Sequence, residues 1–229
     1  MPLVVATANV RFSLPRDEAR EAVAAVLAHS PDLVGLQEWH GWFPSRWRGL
    51  RDFEDYAWFT PWLGGCAVGV RRGRFEEPAR RGAWLSRPGR ADRSGRFLGL
   101  EPPRRASVVS CRELSFVVYH LASQVQGDDD AYRPDRPRLA ARHRREAAAL
   151  TSLVGALPGP VYACGDSNFH GFRMPGLVSA WDSVERTSGT RGPRRQIDDI
   201  HGPVAPVDVV TVPTPSDHLA VVATYPDLA

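Results

Sequence analysis

The sequence contains no lysine, and this absence restricts every cationic contact that the chain can make. All 29 basic residues are arginine, so a phosphate group would meet a planar guanidinium, often in a bidentate contact, and never an ammonium group. The formal net charge is only +3, and so small an excess does not by itself require a nucleic-acid partner. A GC-rich coding sequence produces the same arginine bias, so the bias alone identifies no function.

Cysteine is scarce, since the chain has only Cys66, Cys111 and Cys164. These residues are far apart and lie in apolar, strand-like segments, which matches neither a disulfide framework nor the close spacing of a zinc site. We therefore expect three reduced, buried thiols. Reduced thiols favour a cytoplasmic protein.

Long hydrophobic runs are also absent. No stretch reaches the about 18 apolar residues of a transmembrane helix, and residues 1–10 lack the basic and apolar regions of a signal peptide. A chain of 229 residues that is 43% hydrophobic suits one domain over residues 1–229. We expect a monomer with an α/β or α+β fold.

Apolar periodicity predicts a chain of strands with two long helices. Residues 3–10 read as a strand, residues 15–29 as a helix and residues 33–36 as a second strand, which together form a βαβ-like unit. Residues 136–157 predict the second helix, which ends at a Pro-Gly-Pro stop. Further strands are predicted at 64–70, 83–86, 106–110, 114–119, 161–164, 196–200, 207–212 and 219–225.

A short apolar strand at 161–164 ends abruptly in the polar segment Gly165-Asp166-Ser167-Asn168. Residues two apart on an extended chain face the same way, so Asp166 and Asn168 point together. The carboxylate can take a proton or hold a cation, and the amide can hold an oxyanion. The alternative interpretation is an Asp-Ser-Asn turn that merely closes a strand.

Polar groups also stand where several other predicted strands end, and functional groups of sheet proteins gather at one end of the sheet. Oxygen ligands with no cysteine among them suit Mg²⁺ or Mn²⁺. The histidines suit acid–base or oxyanion roles, and an aspartate behind a histidine fixes its tautomer. The full set of strand-end candidates is Asn9, Glu38, His120, Asp166, Asn168, Asp198, Asp217 and His218.

Other polar and aromatic segments are weaker candidates. The aromatic-rich residues 39–62 predict a helix-and-loop layer on the sheet, in which one or two rings could form a rim that stacks on a base or an acyl chain. The acidic run 128–130 predicts a solvated loop, because consecutive side chains fan apart. Arg71, Arg104 and Arg105 can reach substrate phosphates, but surface arginine is too abundant here to place them in the site.

At these strand ends the sequence resembles the endonuclease/exonuclease/phosphatase superfamily, which includes pancreatic-type deoxyribonucleases, abasic-site endonucleases, neutral sphingomyelinases and inositol-polyphosphate 5-phosphatases. The resemblance rests on six short motifs in the order of the family and extends from residue 7 to residue 218. The motifs are TANV at 7–10 (family TWN), LQE at 36–38, YHL at 119–121 (THL), GDSN at 165–168 (GDFN), QID at 196–198 (RID) and SDH at 216–218.

The resemblance implies a four-layer αββα sandwich, in which two mostly antiparallel mixed sheets are flanked by helices. It also implies a divalent-metal site for Mg²⁺ or Mn²⁺. In that site Glu38 is the main ligand, and Asn9 and Asp217 lie close by. The metal would act as a Lewis acid on phosphate oxygens.

The same resemblance implies roles for the remaining candidates. Asp166 would orient or deprotonate the attacking water, and Asn168 would hold the phosphate. His218 would stabilise the charge on the phosphorane, steered by Asp198. His120 would contact the phosphate or assist the leaving group.

The motifs depart from the family pattern at four positions. Ala8 replaces a tryptophan, Tyr119 a threonine and Ser167 a phenylalanine, while Asp199 stands where an aromatic residue or histidine is common. The extra carboxylate of Asp199 could change pKa values or metal affinity. No departure removes a catalytic group, so we expect an active enzyme.

These features predict a metal-dependent hydrolase of phosphate esters, foremost a phosphodiesterase or nuclease that attacks phosphorus in line with metal-activated water. Phosphoesters of lipids or small molecules are alternative substrates. A catalytically silent interaction protein on the same fold is the alternative of a different class, against which the complete polar set argues. A sheet hydrolase with a nucleophilic serine is not supported, because no G-x-S-x-G motif is found.

Overall fold

The computed structural model describes residues 1–40, 49–76, 78–90, 92, 100–184 and 189–227. In these residues the two long helices are α1 (Arg16–Leu27) and α2 (Pro137–Gly155), and a single 3₁₀ turn spans Ala180–Asp182. The strands are β1 (Leu3–Asn9), β2 (Leu33–Gln37), β3 (Tyr56–Phe59), β4 (Cys66–Arg71), β5 (Ala79–Ser86), β6 (Gly89–Arg90), β7 (Leu100–Glu101), β8 (Arg104–Ser110), β9 (Ser115–His120), β10 (Val161–Asp166), β11 (Val178–Ser179), β12 (Asp198–Gly202), β13 (Asp208–Val212) and β14 (Ala220–Tyr225).

Two six-stranded sheets form the body of the molecule. The first sheet has the order β13-β14-β1-β2-β4-β3, and the second has the order β11-β12-β10-β9-β8-β5. Each sheet contains one parallel pair, β1 with β2 and β9 with β10, among antiparallel neighbours. The parallel pair β1–β2, joined through α1, confirms the predicted βαβ unit.

The hydrophobic clusters show how the layers stack. One cluster fills the space between the sheets, with residues such as Val5, Val118 and Cys164. Two further clusters lie on the outer faces, one under Val23 of α1 and the other under Leu150 of α2. The four-layer αββα sandwich expected from the sequence is therefore confirmed.

The two sheets approach each other closely at Gly35 of β2. A Cβ atom built there would lie 2.4 Å from Cys164 Sγ and 2.8 Å from a methyl group of Val118, both on the second sheet. Any larger residue would push the layers apart, because protein interiors leave no room for such overlap. Gly35 therefore fixes the spacing of the sandwich beside the end of the strand that precedes Glu38.

The structure corrects two sequence predictions. Residues 56–59, expected in a helix-and-loop layer, form the edge strand β3, because they pair with β4 in antiparallel register. Residues 89–90 and 100–101, which lie outside the strands predicted from the sequence, form the short paired strands β6 and β7. Residues 41–48 of the aromatic-rich segment lie outside the described residues.

The cysteines and helices agree with the sequence in most respects. All three thiols are free, but only Cys66 and Cys164 are buried, since Cys111 is partly exposed. Burial raises the pKa of the Cys66 thiol to about 12. Among the described residues, no helix combines the length and the hydropathy needed to cross a bilayer.

Candidate active site

Strand alternation places four predicted site residues in the gap between the two sheets. The four residues are Asn9, His120, Asp166 and Asp198. Side chains two apart on a strand share a face, and the neighbour two positions away from each of these residues faces the space between the sheets. The site residue therefore continues the inward-facing row of each strand at the point where the hydrophobic core ends. The rows are Val5–Thr7–Asn9, Phe116–Val118–His120, Tyr162–Cys164–Asp166 and, running the other way, Ile200–Asp198.

Asp166 is the centre of this group. Its register partners are His120 on the parallel β9 and Asp198 on the antiparallel β12. From the opposite sheet, Asn9 Nδ2 donates to Asp166 Oδ2 over 2.9 Å, and His120 Nε2 lies 3.6 Å from the same oxygen. Burial raises the pKa of Asp166, and the nearby Asp198 carboxylate raises it further, which suits a carboxylate that takes up a proton near neutral pH.

Asp198 and His218 form a hydrogen-bonded pair beside Asp166. Nδ1 of His218 donates to Asp198 Oδ2 over 2.8 Å. Burial disfavours the charged ring, but the Asp198 carboxylate outweighs this effect and raises the pKa of His218 to about 9. His218 is therefore positively charged at neutral pH, and its second ring nitrogen is a second N–H donor.

His120 is neutral, because it is buried and lies beside Arg104. Nη1 of Arg104 lies 3.0 Å from His120 Nδ1, and a guanidinium can only donate, so Nδ1 must be the acceptor. The ring proton of His120 is consequently on Nε2, toward Asp166. Burial lowers the pKa of His120 well below its usual value, and Arg104 lowers it further, so the ring is neutral.

Arg104 is a site residue that sequence reasoning left out. A usable signal was present, because residues 106–110 and 114–119 were predicted as strands with only a short connection between them. In the resulting antiparallel pair, Ser107 faces Val118, and continuing that register places Arg105 opposite His120. The hairpin alone therefore brings both arginines to the end of β9.

Asn168 is held by a tight turn after β10. Its backbone lies in the left-handed region (φ 53°), its N–H donates to Asp166 Oδ1 over 2.7 Å, and its side-chain Nδ2 donates to the carbonyl of Leu121. Gly165 (φ 154°) permits this turn, since a Cβ there would lie 2.0 Å from the carbonyl oxygen of Tyr119. The turn thus fixes both Asp166 and Asn168.

Glu38 follows β2 next to the end of β1, as the register Asn9↔Gln37 shows. Its backbone is also left-handed (φ 58°), a conformation that non-glycine residues adopt mainly where function or tight packing demands it. One carboxylate oxygen accepts from the Phe12 N–H over 2.7 Å, and Asn9 Oδ1 accepts from Arg11 N–H over 3.1 Å.

The predicted set is therefore joined only in part. Direct contacts and register connect Asn9, His120, Asp166, Asn168, Asp198 and His218. Within the described parts of the chain, Glu38 forms neither a hydrogen bond nor an ion pair with any of these six. The Asp217 side chain is 38% exposed and lies 3.4 Å from an Arg191 nitrogen.

The donor atoms present suit a hard divalent cation. One atom each from Asp166, Asp198 and His218 lies within 4.8 Å of the others, and because a charged His218 carries a proton on both ring nitrogens, the two carboxylates are the ligands that this group offers. Asp198 Oδ1 is buried and has no hydrogen-bond partner among the described residues, and such an orphaned carboxylate oxygen is costly unless a cation or a donor compensates it. The site thus offers oxygen ligands of the type that Mg²⁺ and Mn²⁺ prefer.

Asp199, the extra carboxylate of the QIDD segment, does not join the site. It faces the other side of β12, where it accepts from Ser179 Oγ over 2.6 Å and lies 3.4 Å from His201 Nε2. Burial raises the pKa of Asp199 to about 7. Its structural neighbourhood is the outer layer of the second sheet, so it contacts neither Asp166 nor His218.

Comparison with known proteins finds one matching family model and several solved structures with a similar fold. The family model described as "Endonuclease/Exonuclease/phosphatase family" matches residues 6–218, whereas no curated protein sequence matches the chain. D. rerio TDP2 in complex with a single-strand DNA product is 15% identical, with a TM-score of 0.65 over 97% of this chain and 98% of that one.

Two bacterial structures are similar as well. An endonuclease/exonuclease/phosphatase family protein from Bacteroides thetaiotaomicron is 18% identical, with a TM-score of 0.68 over 99% of this chain and 98% of that one. A mannosyl-6-phosphatase from the same organism is 18% identical, with a TM-score of 0.61 over 96% and 98% of the two chains. At these identities the likeness establishes the fold. Because the family model spans nearly the whole sequence, the chain belongs to the endonuclease/exonuclease/phosphatase family.

Proposed function

We propose that the protein is a Mg²⁺- or Mn²⁺-dependent phosphodiesterase that hydrolyses nucleic acid as a monomeric, single-domain enzyme. Its family consists of endonucleases, exonucleases and phosphatases, all of which hydrolyse phosphate esters. The observation that carries the proposal is Asp166, which is buried next to Asn9 of the first sheet, Asp198 of the second sheet and His218, which precedes β14 of the first sheet.

Asp166 has the surroundings of a general base. Its raised pKa lets it accept the proton of an attacking water near neutral pH. The hydrogen bonds from Asn9 and from the Asn168 backbone fix both carboxylate oxygens. A fixed carboxylate can hold water in one orientation, and such positioning accounts for a large part of catalysis in phosphoryl transfer.

The two histidines supply donors of different kind. Charged His218, steered by Asp198, stabilises the negative charge that develops on the phosphorane oxygens. Neutral His120 directs its Nε2–H toward Asp166, where it can donate to a phosphate oxygen or to the departing oxygen. Asn168 is proposed to hold the phosphate through its amide.

The proposed metal ligands are Glu38, Asn9 and Asp217, at the ends of strands that border Asp166. A Mg²⁺ or Mn²⁺ ion bound there would supply Lewis-acid stabilisation to the phosphate oxygens. The carboxylate of Glu38 retains one oxygen besides the one that accepts from Phe12, and the side chain of Asp217 is open to solvent.

Nucleic acid is favoured as the substrate because the protein has 29 arginines and no lysine, and the guanidinium group matches phosphate geometry. D. rerio TDP2, with a similar fold, is seen with a single-strand DNA product. A second candidate is a small phosphorylated sugar, since a similarly folded bacterial protein is a mannosyl-6-phosphatase.

The test is hydrolysis by the wild type and by Asp166→Ala in Mg²⁺, in Mn²⁺ and in EDTA. The substrates are bis-p-nitrophenyl phosphate, plasmid DNA, RNA and mannose 6-phosphate. Asp208→Ala, at an exposed position of β13, serves as the matched control. We expect metal-dependent cleavage of the phosphodiesters, lost in Asp166→Ala and kept in Asp208→Ala. Activity confined to the monoester would replace the nuclease by a phosphatase, and no turnover of any substrate would favour the interaction protein.

A further inference from the structure

The edge of the second sheet that carries Asp166 continues into a row of arginine and tryptophan. Along the order β10, β9, β8 and β5, the strand ends at this edge present Asp166, His120, the Arg104–Arg105 pair and Trp84 in turn. Trp84 is the register partner of Arg105. The catalytic group and Trp84 are three strands apart, which corresponds to ~14 Å at the usual spacing of strands.

The first sheet runs alongside in the same sense. Its order β1, β2, β4 and β3 leads from Asn9 past Glu38 to the end of β3, which is followed by Pro61 and Trp62. Trp62 is 72% exposed. A Cβ on Gly82 of β5 would lie 3.0 Å from Pro61 Cβ, so this end of the first sheet touches the second sheet.

Trp84 and Arg105 form a flat, cationic platform at that junction. The guanidinium carbon of Arg105 lies 4.6 Å from the centre of the Trp84 ring, and its Nη2 also donates to the carbonyl of Gly82. Trp84 is nevertheless 51% exposed. Trp84 is thus a large aromatic ring that is exposed although it stacks on the weakly hydrated guanidinium of Arg105. Such a ring indicates a binding surface, because packing of the fold alone does not require an exposed tryptophan.

We propose that this row is the binding track for a single strand of nucleic acid, with a phosphate on the arginines and an unpaired base stacked at Trp84. The proposal rests on the proposed function and names its substrate as single-stranded. Along this edge Arg104 and Arg105 lie between Asp166 and the ring of Trp84, so the backbone of the strand would pass them before a base reaches Trp84. A span of ~14 Å corresponds to roughly four stacked nucleotides, since stacked nucleotides are spaced by about 3.4 Å.

Stacking is what selects an unpaired strand over other polyanions. A base in a duplex has both faces covered by its neighbours, so it cannot lie on an indole without being extruded, whereas a single strand offers its bases freely. A phospholipid headgroup has the phosphate but no planar ring for Trp84. Guanidinium groups interleaved with exposed aromatic rings are the arrangement that sequence-tolerant single-strand binders use.

The experiment measures binding without cleavage, by fluorescence anisotropy of labelled single-stranded DNA of about eight nucleotides in EDTA. The variants are Trp84→Ala, Trp84→Phe and Arg105→Ala, and the control is Arg80→Ala, an exposed arginine of β5 toward its other end. We expect Trp84→Ala to bind about 5- to 150-fold more weakly, the range of one lost stacked base. Trp84→Phe should regain most of the affinity, and Arg80→Ala should change it little.

Salt and length provide the second readout. Arg105→Ala should reduce the slope of log affinity against log salt by about 0.7, the value for one phosphate contact on a single strand. Unchanged binding of the single strand by Trp84→Ala and Arg105→Ala would overturn the proposed track. The proposal would also fail if the wild type bound a blunt duplex or anionic phosphatidylserine vesicles more tightly than the single strand and both variants kept that binding. Because binding is measured without turnover, loss of the proposed hydrolysis would leave this result readable by itself.

Discussion

Arg104 offers the sharpest test of how the site is built, because its effect is exerted on His120. We consider Arg104→Met, which removes the guanidinium but keeps an apolar stem of similar length. The Nδ1 atom of His120 then loses its donor at 3.0 Å. Since the arginine is also one cause of the lowered pKa of His120, that pKa should rise in the variant.

The expected size follows from the bond that is lost. A hydrogen bond from a charged group in a buried setting contributes about 1.5–3 kcal/mol, which corresponds to about a 10- to 150-fold fall in kcat/KM if the bond acts fully in the transition state. The fall should be largest at low pH. There a protonated His120, 3.6 Å from Asp166 Oδ2, would pair with that carboxylate and make it a weaker base.

Two measurements separate this role from a general loss of structure. The first is the pH profile of bis-p-nitrophenyl phosphate hydrolysis, whose acidic limb should move to higher pH in Arg104→Met. The second is the ¹⁵N spectrum of the histidine rings, in which wild-type His120 should show the neutral Nε2–H form and the variant a mixture. Arg104→Lys, which keeps a cationic donor without the fork, should recover part of the activity.

The control is Arg80→Met, which removes the same charge from an exposed position on β5. It should leave both the pH profile and the His120 resonances as they are in the wild type. The reasoning fails if Arg104→Met keeps the wild-type profile, or if the wild-type ring proves to carry its proton on Nδ1.

Three further predictions concern stability. Glu146→Ala should lower the free energy of unfolding, measured by urea denaturation, by about 3–5 kcal/mol. The buried Glu146 carboxylate accepts hydrogen bonds from Arg142 Nε, Ser86 Oγ and the Ala122 N–H, and its removal leaves the buried Arg142 guanidinium without a counter-charge. Gly165→Ala should fold poorly and lower the yield of soluble protein, since its Cβ would meet a backbone oxygen at 2.0 Å. Asp199→Asn should flatten the pH dependence of unfolding. The pKa of Asp199 is raised to about 7, so its protonated form stabilises the fold below about pH 4, and this stabilisation is lost as the pH rises to about 7; equal slopes in urea titrations of both proteins would contradict this.

Periodicity predicted where most of the strands lie, whereas the four-layer sandwich was implied by the family resemblance. Runs such as residues 3–9 and 161–166 alternate or stay apolar over a strand's length, and the Pro and Gly residues around them mark the ends. The polar residues at the ends of the predicted strands were also identified from the sequence as site candidates. What periodicity does not contain is the pairing order, and the order decided here that Asp166 faces both His120 and Asp198.

Two misjudgements have a common physical cause. Residues 56–59 were expected in an irregular aromatic layer, since the neighbouring aromatics hide the alternation of so short a strand. Arg104 was set aside because one arginine among 29 looks like surface charge. In both cases strand pairing determined the outcome. Residues 56–59 are a strand because they pair with β4, and Arg104 reaches His120 because β8 pairs with β9.

The site is best understood as the polar end of the hydrophobic core. The inward-facing row of β10 runs Tyr162, Cys164 and then Asp166, so the packing that spaces the sheets also spaces the site residues. Two carboxylates are thereby held next to each other in a buried place, where each raises the cost of charge on the other. The Asp198–His218 pair relieves one of them with a proton on the imidazole. The charge on Asp166 is met by the amide of Asn9, the N–H of Asn168 and the nearby His218 imidazolium. Asp198 Oδ1, in contrast, has no hydrogen-bond partner among the described residues, which leaves the gap between the sheets electrostatically suited to a divalent ion.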